Sequence, residues 1–260
     1  MKKPIKRKKL TALLPLFPAA VFFAGPVLAL LALSFRFEGK FPTLAQYGEL
    51  LITNYTFLRF FWNSLLYASI ITVLCVAISF PLGFLFAKVR FPGRDALFYV
   101  YVILMMLPFQ TTVLPNYIQL RDFGLLNTPY ALVLPLAFSP FAVFMFRQFT
   151  KSLSSDQIDN ALLDTSSVLT LLRHVVFPHV KSAAAAMAVI IFCESWNMVE
   201  PVLMFAAKNP QIHPLSVTLG DLPQSVSYGA AAVYLLPIVF LFMLLKDSLA
   251  SSVELFRWDT

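Results

Sequence analysis

Charge is what this sequence has least of. Only 13% of its 260 residues are Asp, Glu, Lys or Arg, and 59% are hydrophobic. Soluble domains average about 25% charged and about 45–50% apolar. So few polar groups cannot cover a water-facing surface, and lipid is expected to cover much of the chain. Cysteine is nearly absent as well. Cys75 and Cys193 both fall inside apolar runs, which excludes a disulfide framework or a thiolate metal site and leaves two small packed hydrophobes. Of the three histidines, His174 and His179 stand five apart and His213 alone, with no H-E-x-x-H pattern. No metal, cofactor or catalytic constellation is expected. There is no G-x-x-x-x-G-K-[ST] loop, so the energy for any driven process is expected from a partner chain or an ion gradient.

The net charge is +7, with 27 phenylalanines in the chain. The charge does not spread over a folded face, which argues against nucleic acid as a partner. Lys2, Lys3, Lys6, Arg7, Lys8 and Lys9 crowd the start, ahead of an apolar run. That run is too long for a cleaved signal peptide and reads as an anchored span. Six stretches have the length and composition of transmembrane helices: 10–35, 61–86, 96–114, 130–149, 183–205 and 229–245. With the N-terminus in the cytoplasm, fifteen Lys and Arg fall inside. Arg36, Lys40, Arg59, Arg121 and Lys208 fall outside. The positive-inside rule then puts both termini in the cytoplasm. The expected fold is all-α: one polytopic membrane domain of six helices, with lipid around it.

The most polar inside segment is 151–179. Ser154 with Gln157 three residues on makes a capping box. Ile158, Ala161 and Leu162 follow at helical spacing as an apolar stripe, while Asp156, Asp159 and Asp164 lie off it or flank it. Thr165-Ser166-Ser167 breaks the pattern and recaps a second helix through Leu169, Leu172 and Val176, expected to stop near Pro178. Two short helices with a break suit docking into a groove on another protein. A helix lying on the bilayer is the alternative, but such helices carry Lys and Arg on the polar face. Here the first helix carries acids.

The same segment resembles the signature of the permease subunits of binding-protein-dependent ABC importers, carbohydrate branch, related to the maltose-type inner-membrane permeases. That signature is E-A-A, three residues, Gly, nine residues, I-x-L-P. Asp159-Asn160-Ala161, Thr165 and Val175-Val176-Phe177-Pro178 take its places at matching spacing. The flanks are similar to the family too: Phe61-Trp62-Asn63-Ser64-Leu65, Phe91-Pro92-Gly93-Arg94, Gly124-Leu125-Leu126-Asn127-Thr128, Ser139-Pro140-Phe141, Arg147-Gln148-Phe149 and Trp196-Asn197. The resemblance implies a multi-pass subunit of the bacterial inner membrane that is not itself an enzyme. Its implied partners are a second permease subunit, two ATP-binding cassette ATPase subunits and an extracytoplasmic sugar-binding protein. The 151–179 loop would be the coupling helix, touching an ATPase through Asp159, Ala161, Leu162, Asp164 and Thr165. Thr165 stands where the family has Gly and cannot adopt positive φ cheaply, so the turn is expected to differ.

Ionisable residues inside spans are costly and point to function. Glu194 and Asn197 are expected on one face of the fifth span, with Glu200 about 240° away unless Pro201 bends the helix. With Trp196 as an aromatic platform, and Asn116, Gln110 and Asn63 as further polar groups, these are the candidate sugar-pathway residues. The other readings are a permease for polyamine or glycerol phosphate, and an ion-coupled secondary transporter, which would predict inverted repeats not visible here.

Overall fold

A computed structural model describes residues 16–164 and 167–255. The basic cluster Lys2–Lys9, the first residues of the expected first span, and Thr165 with Ser166 lie outside the described residues. Every regular element among those described is helical. Four helical runs are long and apolar enough to cross a membrane: Tyr55–Lys88, Pro129–Lys151, Val168–Trp196 and Ser227–Ser248. A bent pair makes a fifth if counted as one span. The chain is a helical membrane protein divided into two compact units, residues 1–58 with 219–236, and residues 59–218 with 237–260.

In the first unit, α1 (Leu16–Ser34) leads through a tight reversal to α2 (Ala45–Gly48), which continues as a π turn over Glu49–Thr53. Gln46 holds this unit together. Its side chain is 1% exposed. Its Nε2 donates to the carbonyls of Leu33 and Arg36 at and just past the end of α1, and its Oε1 accepts from the Gly229 amide at 2.7 Å. Orphan carbonyls at a helix end need such partners. Gln46→Leu removes the partner of the Arg36 carbonyl and of the Gly229 amide, at about 1–3 kcal/mol apiece, while the Leu33 carbonyl keeps its bond from the Arg36 amide. A clear drop in the melting temperature of the purified protein is expected; an unchanged melt would show that water replaces the amide.

The second unit begins in α3 (Tyr55–Lys88). Phe91-Pro92-Gly93 ends it, with Gly93 at φ 79 turning the chain into α4 (Arg94–Leu104). Instead of one third span over 96–114, the structure has α4 and then α5 (Phe109–Asp122), bent by 100° at Pro108. Pro108 is extended and lacks the N–H to continue α4, so the chain restarts there. The fourth span comprises α6 (Pro129–Val133), a 3-10 turn and α7 (Pro140–Lys151), capped by Ser139. Next come α8 (Ser155–Asp164) and α9 (Val168–Leu171). A π turn at Leu172–Val176 carries α9 into α10 (Phe177–Trp196).

The expected stop at Pro178 does not occur. The Phe177 amide bonds the Leu172 carbonyl five residues back. That wider turn accommodates a proline that cannot donate to the normal ladder. The expected fifth span ends earlier, at Trp196, and a separate α11 (Glu200–Phe205) follows. A short α12 (Leu215–Thr218) precedes α13 (Ser227–Leu255).

The core of the second unit is α10 against α7. Val180, Ala183, Ala184 and Met187 meet Ala142 and Phe146. Small residues let helices approach closely in a membrane. Arg147, nearly buried, is satisfied on three sides. It donates to the Phe86 carbonyl at 3.2 Å, lies 3.6 Å from Asp95 and sits 3.6 Å over the Phe98 ring.

Candidate functional site

The 151–179 segment folds into an elbow. Ser154 Oγ accepts from the Gln157 amide at 3.3 Å and starts α8 as the capping box predicts. The Ile158 side of the stripe does not face outward. Ile158 is buried with Phe84, Leu153, Leu171, Leu172 and Val176, and Ala161 packs at the edge of that cluster. The elbow is thereby fixed to the end of α3. Lys88 adds to this by donating to the Lys151 carbonyl at 3.4 Å and to that of Leu153.

With that face consumed, other apolar side chains are left outside. Leu162 is 47% exposed, Leu163 86%, Val168 59% and Leu169 74%. They flank the break between α8 and α9, and Asp159 is exposed on α8. The stripe count missed Leu163 and Val168, and read Leu169 with Leu172 and Val176 as one face of the second helix, although Leu169 is exposed and the other two are buried. The signal was the apolar character of Leu163, Val168 and Leu169 at positions where a solvated elbow would carry polar residues. Ala161 also lines a groove of about 580 Å³ with Gln157, Asn160, His174 and His179. His179 Nε2 lies 3.0 Å from Ser152 Oγ, and His174 Nδ1 lies 3.1 Å from the Thr170 carbonyl. The backbone of Asp164 closes α8, while Thr165 lies outside the described residues.

The polar residues of the expected fifth span are divided by its break. Glu194 is exposed on α10 and lines a cavity of about 490 Å³ with Ser139, Ser195, Phe109 and Phe138. Asn197 caps α10, its Nδ2 donating to the Cys193 carbonyl at 2.8 Å. Glu200 opens α11 and accepts from Gln110 Nε2 at 3.2 Å through both oxygens. Asn116 is half-buried on α5. The structure therefore pairs Glu200 with Gln110 and leaves Glu194 in a separate cavity. Trp196 departs from its expected role. It is fully buried, stacked on Phe192 and edge-on to Phe61. It is a core residue with no ring face open to a sugar.

The quoted flanking segments turn out to be anchors. Asn63 donates to the carbonyls of Gln211 and His213, each at 3.0 Å, and Ser64 accepts from the Leu215 amide at 2.7 Å. Together they hold the strap that follows α11. Asn127 adopts φ 61, a conformation Asn tolerates better than most residues. There its amide donates to the Phe205 carbonyl and its Oδ1 accepts from the Lys208 amide at 2.9 Å. These bonds pin the 124–128 turn to the end of α11.

Comparison with known proteins bears directly on this arrangement. A family model described as binding-protein-dependent transport system inner membrane component matches residues 79–255. The arabinooligosaccharides transport system permease protein AraQ of Bacillus subtilis is 25% identical over 252 residues, 93% of this chain and 90% of that protein. The sn-glycerol-3-phosphate transport system permease protein UgpE of Brucella abortus is 35% identical over 139 residues, 54% of this chain and about half of that protein, 49%. Among solved structures, a chain from the crystal structure of a bacterial ABC transporter involved in the import of the acidic polysaccharide alginate superposes with a TM-score of 0.80. It covers 95% of this chain and 98% of that one at 17% identity, a likeness of fold.

Proposed function

The chain belongs to the binding-protein-dependent transport system inner membrane components, and from that premise we propose that it is the permease subunit of a bacterial inner-membrane sugar importer driven by a separate ATPase. The observation that carries this reading is the elbow. It leaves Leu162, Leu163, Val168 and Leu169 exposed at the end of a helical run that continues into a span. Asp159, Ala161, Leu162, Asp164 and Thr165 would serve the same contact. The groove floored by Ala161 leaves room for a partner side chain. In this reading six helices cross the membrane with both termini inside, α1 and the bent α4–α5 pair each counting as a span. A second permease completes the pathway, two ATPase subunits dock below, and an external binding protein delivers the cargo.

Sugar is favoured over a phosphate ester for two reasons. The alignment to the arabinooligosaccharide permease runs nearly end to end, whereas the glycerol-phosphate alignment spans half of each chain. Were the pathway to pass Glu194 in its cavity and Glu200 beside Gln110, their carboxylates would repel a phosphate. Hydroxyl groups of a neutral sugar would instead donate to these carboxylates.

Purification from native membranes under mild conditions tests the reading. An ATPase chain and a second membrane subunit are expected to co-purify, and arabinooligosaccharide with its binding protein is expected to stimulate ATP hydrolysis. A chain recovered alone that transports after reconstitution by itself would overturn it.

A further inference from the structure

Where α3 stops and α4 begins, the second unit gathers positive charge around an open cavity. Arg90 and Arg94 line this cavity of about 340 Å³, together with Phe91, Gly93, Asp95 and Ala96. Asp95 is its single carboxylate. Arg94 engages it at 3.1 Å, and Arg147 stands 3.6 Å away. Lys88 closes α3 two residues before Arg90. Positive charge thus exceeds negative, and Arg90 is exposed. The cavity lies beside the end of α3, the longest run of spanning length, which is the level of lipid headgroups if that run crosses the membrane.

From the cavity, α4 runs for 11 residues before the bend at Pro108. That is about 16 Å of helix, close to the depth of one leaflet of a hydrocarbon core about 30 Å thick. Phe98 on its inner side is buried with Phe86 and Val143. Its outer side carries Leu97, Val100 and Leu104 at i, i+3 and i+7, with Ile103 beside them, all exposed. A basic cavity thus opens onto an apolar stripe one leaflet deep.

We propose that this is a binding site for one anionic phospholipid, its phosphodiester held by Arg90 and Arg94 and an acyl chain lying along Leu97, Val100 and Leu104. Basic pockets beside spanning helices recognise anionic headgroups in this way. A free phosphate would use the cavity but gain nothing from the stripe.

Native mass spectrometry of the complete purified complex, with thermal melts in detergent, tests the site. Phosphatidylglycerol is expected to be retained and to raise the melting temperature, while phosphatidylcholine and sn-glycerol 3-phosphate do neither. Arg90→Ala should weaken phosphatidylglycerol binding about fivefold, the worth of one juxtamembrane cation, and Arg90→Lys should restore most of it. Equal retention by Arg90→Ala, equal effects of the two lipids, or an equal effect of glycerol phosphate would each overturn the proposal. So would photocrosslinking to the second permease of a maleimide-benzophenone attached at Val100→Cys, since a protein would then occupy the stripe.

Discussion

Gly83→Ala is expected to be the most damaging Gly→Ala substitution among the described glycines of this protein. A Cβ at that position would lie 2.4 Å from Phe146 Cβ and 2.9 Å from both the Phe146 carbonyl carbon and the Arg147 amide nitrogen. Two of those atoms are backbone, so no rotamer change relieves the clash. α3 and α7 must move apart. Separation would also loosen Arg147, whose guanidinium reaches the Phe86 carbonyl across the same contact, and would uncover a charge in a low-dielectric site. Overpacking costs about 1–3 kcal/mol in well-packed cores, and contact with backbone puts this case at the upper end. The measurement is the melting temperature of the purified protein in detergent, with Gly48→Ala as the control. Gly48 is helical with nothing within 4 Å of the added carbon, so its replacement should be neutral or slightly stabilising. Equal melts for the two variants would refute the close helix crossing.

The second large effect is expected at the elbow. Leu163→Asp with Leu169→Asp should leave the protein inserted and folded, because both side chains already face outward. If the elbow docks an ATPase, two buried anchors become charged, and losses of about 2 kcal/mol or more, some thirtyfold in affinity, are typical of such positions. Cargo-stimulated ATP hydrolysis should collapse, and the ATPase should dissociate on gel filtration. Full stimulation in the double variant would remove the elbow from the coupling surface. Ala161→Arg, which fills the groove beside α8, is an independent probe of the same face.

Much of this architecture could be read from the residues, and the misreadings have physical causes. Apolar length located the helices, since burial in lipid leaves little else to choose from. It could not locate breaks. Pro108 and Pro178 look alike in sequence, yet the chain bends by 100° at the first and passes through the second as helix. The difference lies in the π turn before Pro178, a feature of hydrogen-bond register with no compositional mark. Trp196 beside Asn197 read as a sugar platform because residue type says nothing of neighbours; Phe61 and Phe192 cover it. On α8 the periodicity was right and its direction only partly so. Ile158 packs inward on the protein's own α9 and the π turn after it, and the residues left for a partner are Leu162 at the edge of the stripe and Leu163, Val168 and Leu169 beyond it. Asn63 and Asn127 were recognisable as motif positions, but their work depends on segments more than 75 residues away in sequence.

The passage of helix through Pro178 has a mechanical side. From Val168 to Trp196 the chain is one helical run of 29 residues, a contour of about 43 Å. Its lower end carries Val168 and Leu169, and its upper end carries Glu194. A loop between these points would dissipate a push as a change of shape. A hydrogen-bonded rod instead delivers displacement from one end to the other, with the π turn as its one softer joint. Stiffening that joint, by deleting one residue between Leu172 and Val176, would turn the upper end by about 100° relative to the lower, putting stroke and register under separate experimental control.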